Sequence, residues 1–513
     1  MSSYISAVSE AALTEALDSG DEDAVAAALT LHVWPLLNAH YDAFEQAFRS
    51  LPVTVRARHF PLEALGQLAM VAGSHRAREV LLFDHRRASA KEAGGIHFVQ
   101  LLAARLAGDY AAATRSASRL ADWSRAASDE GLIADGPAAF FMTQSGFTDL
   151  VNGRTATAVR RFGLARRMAT SATLHDSERD ALGKSALAHI VRGSLSSARQ
   201  ALALAEELPV RAPTLFQRFS ASTERSARAL IAVEQQDDAA SALAALTLLE
   251  SADELWPFKL LALGRDALAR ESPLEALEFV TVSQATQLIP ARSLASDIVT
   301  ALRVEALLAM DQPLAAARAS ENDETGIFTR LARMRVAIRS GDRERARRLG
   351  AAIVSDPEAT PHVQLESRLL LAWADVLDDT SLSSATAAMA TAYSAQGGVR
   401  QFTGVPGYVV EALRALVNDP ASIPSPEASA LTTGQSLLRN PLTHRERHVL
   451  IAASNHATLA EIASELKVSR NTVKTQLSSL YRKLGVGTRA DAVAAATRLG
   501  LLDTPRLGDP DGV

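Results

Sequence analysis

Arg470, Asn471, Lys474, Thr475, Ser478 and Arg482 recur along one short stretch of the chain, with Val473, Leu477, Leu480 and Leu484 on the complementary phase. On a helix this spacing separates an inward apolar stripe from an outward stripe of cations, an amide and hydroxyls. The outward groups suit an anionic, oxygen-rich surface. Ammonium and guanidinium groups pair with phosphates, and Lys, Asn, Thr and Ser can hydrogen-bond base edges. The chain has no cysteine, which removes disulfides, thiol nucleophiles and thiolate metal sites together and fits a reducing interior.

Other motifs fail on chemistry or context. Gly183-Lys184-Ser185 ends like a phosphate-binding loop, but the required glycine five residues earlier is Glu178, and no strand precedes it. Gly485-Val486-Gly487 with Ala490 imitates a dinucleotide fingerprint yet follows a helix, so it reads as a turn. His444 and His448 have the spacing of two metal ligands without a third, and read as helix-surface residues. Trp34, Trp123, Trp256 and Trp373 fall in helical stretches and read as packing between helices, and Ala93-Gly94-Gly95-Ile96 reads as a loop. No nucleophile, base and orienter come together, and no strand–helix alternation suggests a phosphoreceiver. No catalytic site, metal or cofactor is expected, and the chain is not expected to be an enzyme.

The elements that position the cationic stripe are legible around it. Thr443 with Glu446, and Thr458 with Glu461, are capping boxes opening two helices that carry Val449 and Leu450, then Ile462 and Leu466. A three-residue turn, Lys467-Val468-Ser469, leads into the third helix with Ser469 as its N-cap. Two short helices, a tight turn and a basic outer face match a DNA-reading helix-turn-helix. Charge agrees. Residues 441–502 hold nine Lys or Arg against four Asp or Glu, so they carry +5 within a total of −5, and the remainder carries −10.

That remainder is helical in pattern. Hydrophobic residues are 48% and aromatics only 5%, and over residues 10–417 apolar positions repeat at three and four. Small or acidic pairs interrupt them at Gly20-Asp21, Gly108-Asp109, Asn152-Gly153, Arg192-Gly193, Asp237-Asp238, Gly341-Asp342 and Asp378-Asp379, with weaker breaks from Glu271 and Asp311. From Gly108 the intervals run from 30 to 44 residues, the period of a helix-turn-helix repeat array. Segments such as Gly108-Asp-Tyr-Ala-Ala-Ala and Gly341-Asp-Arg-Glu-Arg-Ala resemble degenerate tetratricopeptide repeats. Pro420, Pro424 and Pro426 mark residues 418–440 as an extended linker, and residues 503–513, with two prolines and two glycines, read as a disordered tail. No apolar run reaches transmembrane length, and Met1 to Ser9 lacks a secretory pattern, so a cytoplasmic protein is expected. The expected fold is all-α: a tetratricopeptide-like solenoid over 1–417, then a small four-helix domain over 441–502.

The 441–502 segment resembles the LuxR-type helix-turn-helix domain of bacterial transcription regulators. The resemblance rests on Leu442, Thr443, Arg445, Glu446, Glu461, Ile462, Ala463, Val468, Ser469, Thr472, Val473, Lys474, Lys483, Leu484, Gly485, Val486 and Arg489. The usual Asn-Lys before Glu461 is replaced by Leu459-Ala460, and a commonly found His by Gln476. The resemblance implies that the third helix enters the major groove of double-stranded DNA. Lys474, Thr475 and Ser478 would face base edges, while Arg470, Asn471, Thr472 and Arg489 would approach phosphates. Thr458, Ser469, Arg482 and Lys483 complete the candidate DNA-binding set. It also implies a fourth helix, from about Arg489 to Leu499, that mediates homodimerisation on DNA.

Residues 16–52, and Gln396-Gly-Gly-Val-Arg-Gln-Phe before Val409, resemble the helical-repeat region of large MalT-like LuxR regulators. That group carries an ATPase module ahead of the repeats; here the chain begins where the repeats begin, so no nucleotide binding is expected. The body is expected to receive a small-molecule or protein effector on a concave face. A competing reading makes the chain a protein-interaction scaffold whose helix-turn-helix is vestigial or contacts protein.

Overall fold

The computed structural model describes residues 2–59, 62–63, 90–129, 137–169, 177–208, 215–237, 239–244, 246, 254–322, 326–356, 359–378, 380–424, 442–456, 458–484, 486–498 and 502. The expected tail, linker residues 425–440 and Gly485 lie outside them. All regular structure among the described residues is helical, as the apolar spacing predicts.

Two kinds of helix alternate through the body. Ala138–Val151, Trp256–Ala269, Leu294–Ala309 and Pro361–Leu377 are buried around most of their circumference. Their partners bury one stripe: Ala158, Phe162 and Ala165 on Thr155–Ala169, Ala198, Ala201 and Ala205 on Leu195–Glu206, and Ala346, Gly350 and Ile353 on Arg343–Val354. Each inner helix packs on its own outer partner and on the next inner helix, the arrangement of a repeat array. Alanines at three-four spacing let the outer helices approach closely.

Seven of the nine breaks read from the sequence share one backbone motif; Asp378, with φ −100°, and Gly20, whose following N–H donates to the Ser19 hydroxyl, do not. Gly108, Gly153, Gly193, Gln236, Glu271, Asp311 and Gly341 all have φ between +52° and +80°. In each case the next residue's N–H donates to the carbonyl five positions back, as from Asp109 to Ala104 at 2.9 Å and from Gln312 to Leu307 at 2.9 Å. This is a Schellman closure, which wants a left-handed residue and prefers glycine. The breaks at Glu271 and Asp311 carry no glycine at that position; neither does the one at Gln236, which the acidic pair after it marks in the sequence.

Gly94 departs from the sequence reading. It lies inside helix Ala90–Leu106 rather than in a loop, and a Cβ there would stand 2.7 Å from the Trp123 ring. Gly94 admits an indole instead of breaking the helix. The four tryptophans are packing residues: Trp34 and Trp123 flank Phe141, with ring centroids 5.1 and 5.6 Å away, Trp256 is buried, and Trp373 donates to the Tyr408 hydroxyl at 2.9 Å.

The array winds tightly enough for distant repeats to touch. Arg105 Nη2 meets Glu254 Oε2 at 2.7 Å, and the His362 N–H donates to the Arg192 carbonyl at 3.2 Å. These contacts join elements 149 and 170 residues apart in the sequence. The proline-bearing segment after Val417 also begins differently from an extended linker. Asp419 caps a short 3₁₀ turn, Pro420–Ser422, and Ile423 is buried against the last repeat with its carbonyl held by Arg414 at 2.6 Å.

Candidate nucleic-acid interface

The C-terminal domain is four helices, His444–Asn455, Leu459–Glu465, Arg470–Leu484 and Arg489–Arg498, around one apolar cluster. Both capping boxes form. Thr443 Oγ1 accepts from the Glu446 amide at 3.2 Å while Glu446 Oε2 accepts from the Thr443 amide at 2.6 Å. Thr458 and Glu461 repeat this at 3.3 and 2.9 Å. Satisfying the otherwise orphaned amides fixes where each helix starts, and hence the phase of its apolar face.

The turn between the second and third helices uses the motif of the repeat turns. Lys467 has φ +52°, and the Val468 N–H donates to the Ala463 carbonyl at 3.0 Å. Ser469 then caps the third helix, accepting from the Thr472 amide at 3.1 Å. Val473, Leu477 and Leu480 are buried, and Leu484 is half-buried at the edge of the cluster. The helix is thereby pinned by its inner face.

Its outer face is presented to solvent. Arg470, Asn471, Thr472, Lys474, Thr475, Ser478 and Arg482 are all exposed, as are Ser469 and Thr458 at the helix starts. Thr475 Oγ1 donates to the Asn471 carbonyl at 2.9 Å, which occupies its proton. The Thr472 and Ser469 hydroxyls lie 2.8 Å apart. Fifteen residues of helix run about 22 Å at 1.5 Å each, and with side chains its diameter of about 10–12 Å matches a major groove about 12 Å wide.

Two residues of the candidate set are otherwise engaged. Lys483 turns inward and its Nζ meets Glu446 Oε2 at 2.7 Å. Burial alone would raise the Glu446 pKa, but Lys483, the Thr443 amide and the Ser479 hydroxyl outweigh it and hold the carboxyl below its ordinary range. Arg489 donates through Nη1 to the His456 carbonyl and ties the start of the fourth helix to the end of the first. Sequence reasoning missed both roles. Lys483 ties the third helix to the first, and Arg489 fixes the loop ahead of the second.

Residues 440–496 match the family described as bacterial regulatory proteins, luxR family. The chain is 55% identical over 53 residues to a probable transcriptional regulatory protein, SgaR, of Hyphomicrobium methylovorum, covering 10% of this chain and 25% of that one. It is 50% identical over 62 residues to the probable transcriptional regulatory protein NarL of Mycobacterium tuberculosis, covering 12% and 29%. With the transcriptional regulator MalT of Yersinia enterocolitica it shares 47% over 60 residues, covering 12% of this chain and 7% of that one. The chain thus spans under a third of the length of these relatives. Its C-terminal segment is a LuxR-type helix-turn-helix, the domain of a family of DNA-binding transcription regulators. No described helix is long and apolar enough to cross a membrane.

Proposed function

From a LuxR-type domain joined to a helical-repeat body, we propose that this chain is a sequence-specific transcriptional regulator acting on double-stranded DNA in the cytoplasm. Residues 441–502 read the DNA, residues 418–440 tether the reader, and residues 1–417 receive a small-molecule or protein effector. The observation that carries the reading is the outward stripe of Arg470, Asn471, Lys474, Thr475, Ser478 and Arg482 on a helix whose inner face is fully committed to the core. Lys474, Thr475 and Ser478 would meet base edges; Arg470, Asn471 and Thr472 would meet phosphates. Binding as a homodimer is supported by Ala490 and Ala494, exposed four residues apart on Arg489–Arg498, where small side chains permit close helix approach. Arg489 and Lys483 support the reader by positioning it, and they contact DNA only if they exchange their internal partners for phosphates.

The test is binding of duplex DNA by the full chain across a salt series. A reader of this kind loses affinity linearly in log–log form, and Lys474→Ala costs about 1–3 kcal/mol. A flat salt response with Lys474→Ala silent refutes the reading in favour of a protein-interaction scaffold.

A further inference from the structure

The last full turn of helix Leu215–Gln235 buries the carboxylate of Glu234 completely. Four side chains converge on it or its neighbours from far along the chain. Arg400 Nε and Arg265 Nη1 each reach Glu234 Oε1 at 2.7 Å, and the Tyr393 hydroxyl donates to Oε2 at 2.8 Å. Arg400 Nη2 also lies 3.0 Å from His362 Nε2 and 3.7 Å from Glu366 Oε2. Glu366 in turn pairs with Arg335, whose Nη1 meets Glu305 at 3.1 Å.

Backbone contacts close the same seam. The Val399 N–H donates to the Glu234 carbonyl at 2.9 Å, and Gln401 Nε2 to the His362 carbonyl at 2.8 Å. At the surface Arg199 holds the Gln396 carbonyl at 2.9 Å. Gly193 and His362 approach so closely that a Cβ on the glycine would stand 2.1 Å from that of His362. The segment 393–403 is therefore seated like a peptide between repeats written some 160 to 200 residues before it.

The charges divide in a telling way. Glu234 keeps Arg265 on the adjacent helix, while Arg335 and Arg400 balance Glu305 and Glu366 on the later repeats. Each side of the seam is neutral by itself. Parting them strands no lone charge, and the released ions regain hydration, whereas an apolar seam would gain nothing from water. A buried ionic seam of this kind resists opening less than a hydrophobic one of equal area. It also lies just before helix Gly407–Arg414 and the 3₁₀ turn Pro420–Ser422, the last described elements of the body ahead of the DNA-binding domain.

We propose that the Glu234–Arg400 cluster is a latch: segment 393–403 holds one superhelical turn of the body closed, and its release is the change the body passes to the tether. The last clause rests on the regulatory reading above; the latch itself does not. It is tested on the full chain by amide exchange. Arg400→Met and, as a surface variant that spares the core, Arg199→Ala should raise exchange about ten-fold or more in 192–199 and 393–403. Helix Leu294–Ala309 should keep its protection. Because the chain has no cysteine, Ser196→Cys with Gln396→Cys gives a clean cross-linking pair across the seam, and the cross-link should restore protection. Unchanged exchange in both variants, or a rise spread evenly over the body, overturns the latch. Duplex binding at low salt is read on the same samples. Equal affinity in the open and cross-linked forms overturns the coupling alone, and no binding by any form overturns the DNA reading alone.

Discussion

Replacing Lys483 and Lys474 separates a residue that builds the reading head from one that reads. Lys483 neutralises a carboxylate that is only 3% exposed, and Lys483→Met leaves Glu446 with the Thr443 amide and the Ser479 hydroxyl. Stranding a deeply buried charge costs about 3–5 kcal/mol. Here the remaining donors and the partly exposed lysine stem let water share the load, which brings the expected cost to about 1–3 kcal/mol. For a domain this small, each 1 kcal/mol moves the midpoint by roughly 4–8 °C. A domain with an ordinary reserve of about 5 kcal/mol stays folded after that loss, so DNA affinity should change by less than about two-fold. Lys474→Ala should do the reverse: no shift in melting beyond about 0.5 kcal/mol, but a loss of roughly five- to 150-fold in affinity. The assay pairs thermal unfolding of the C-terminal domain, followed by amide exchange in the full chain, with duplex anisotropy across a salt series. Lys483→Met with Glu446→Gln should recover most of the lost stability. If Lys483→Met leaves melting unchanged and lowers the log–log salt slope by about 0.9, Lys483 sits on a phosphate and the inward assignment is refuted.

Three further outcomes can be checked independently. Glu271→Gly and Asp311→Gly relieve left-handed strain and should each stabilise the body by about 0.5–1 kcal/mol, while Gly341→Ala, at φ +80° with open space around it, should cost about 1 kcal/mol or more; chemical denaturation reads all three. Burial, with Arg400 and Arg265, pushes the His362 pKa from 6.5 to about 4 over the opposing pull of Glu234 and Glu366. The unfolded chain then takes up a proton that the folded one refuses, so His362's contribution is complete above pH 6.5 and is lost as pH falls to 4, by about 3 kcal/mol at most. His362→Gln should flatten the midpoint over that window, and identical midpoints for both proteins from pH 6.5 to 4.5 contradict the assignment. Ala460→Lys restores a cation usual in the family pattern and should steepen the salt slope by about 0.9; an unchanged slope places that position away from the backbone.

The reading helix was legible because its chemistry is local. Capping boxes, a four-residue spacing of apolar side chains and a basic outer stripe all lie within forty-odd residues of one another. Even Lys483 carried a signal. At about 100° per residue it stands roughly 90° from the middle of the Val473–Leu484 stripe, against about 170° for Arg482, so it flanks the core rather than opposing it. The repeat breaks were equally local, since each left-handed turn asks for glycine or a small polar residue. Gly94 misled because a glycine pair signals a turn unless one knows that Trp123 needs the space. The Glu234 cluster was out of reach for a different reason. Nothing in the type or spacing of Glu234, Arg265, His362 and Arg400 tells that a superhelix of this pitch will bring them together.

The winding of the body also sets an order of events during synthesis. An open array can fold repeat by repeat as it leaves the ribosome, each pair needing only its neighbour. Here Glu234 emerges 166 residues before Arg400, and at about 5–20 residues per second that is roughly ten to thirty seconds. During that interval the later inner helices are added one by one while the seam stays unfilled, so Glu234 faces water that will later be sealed off. The first half of the protein is thus a waiting template, and its completion depends on the stretch of chain translated last before the tether.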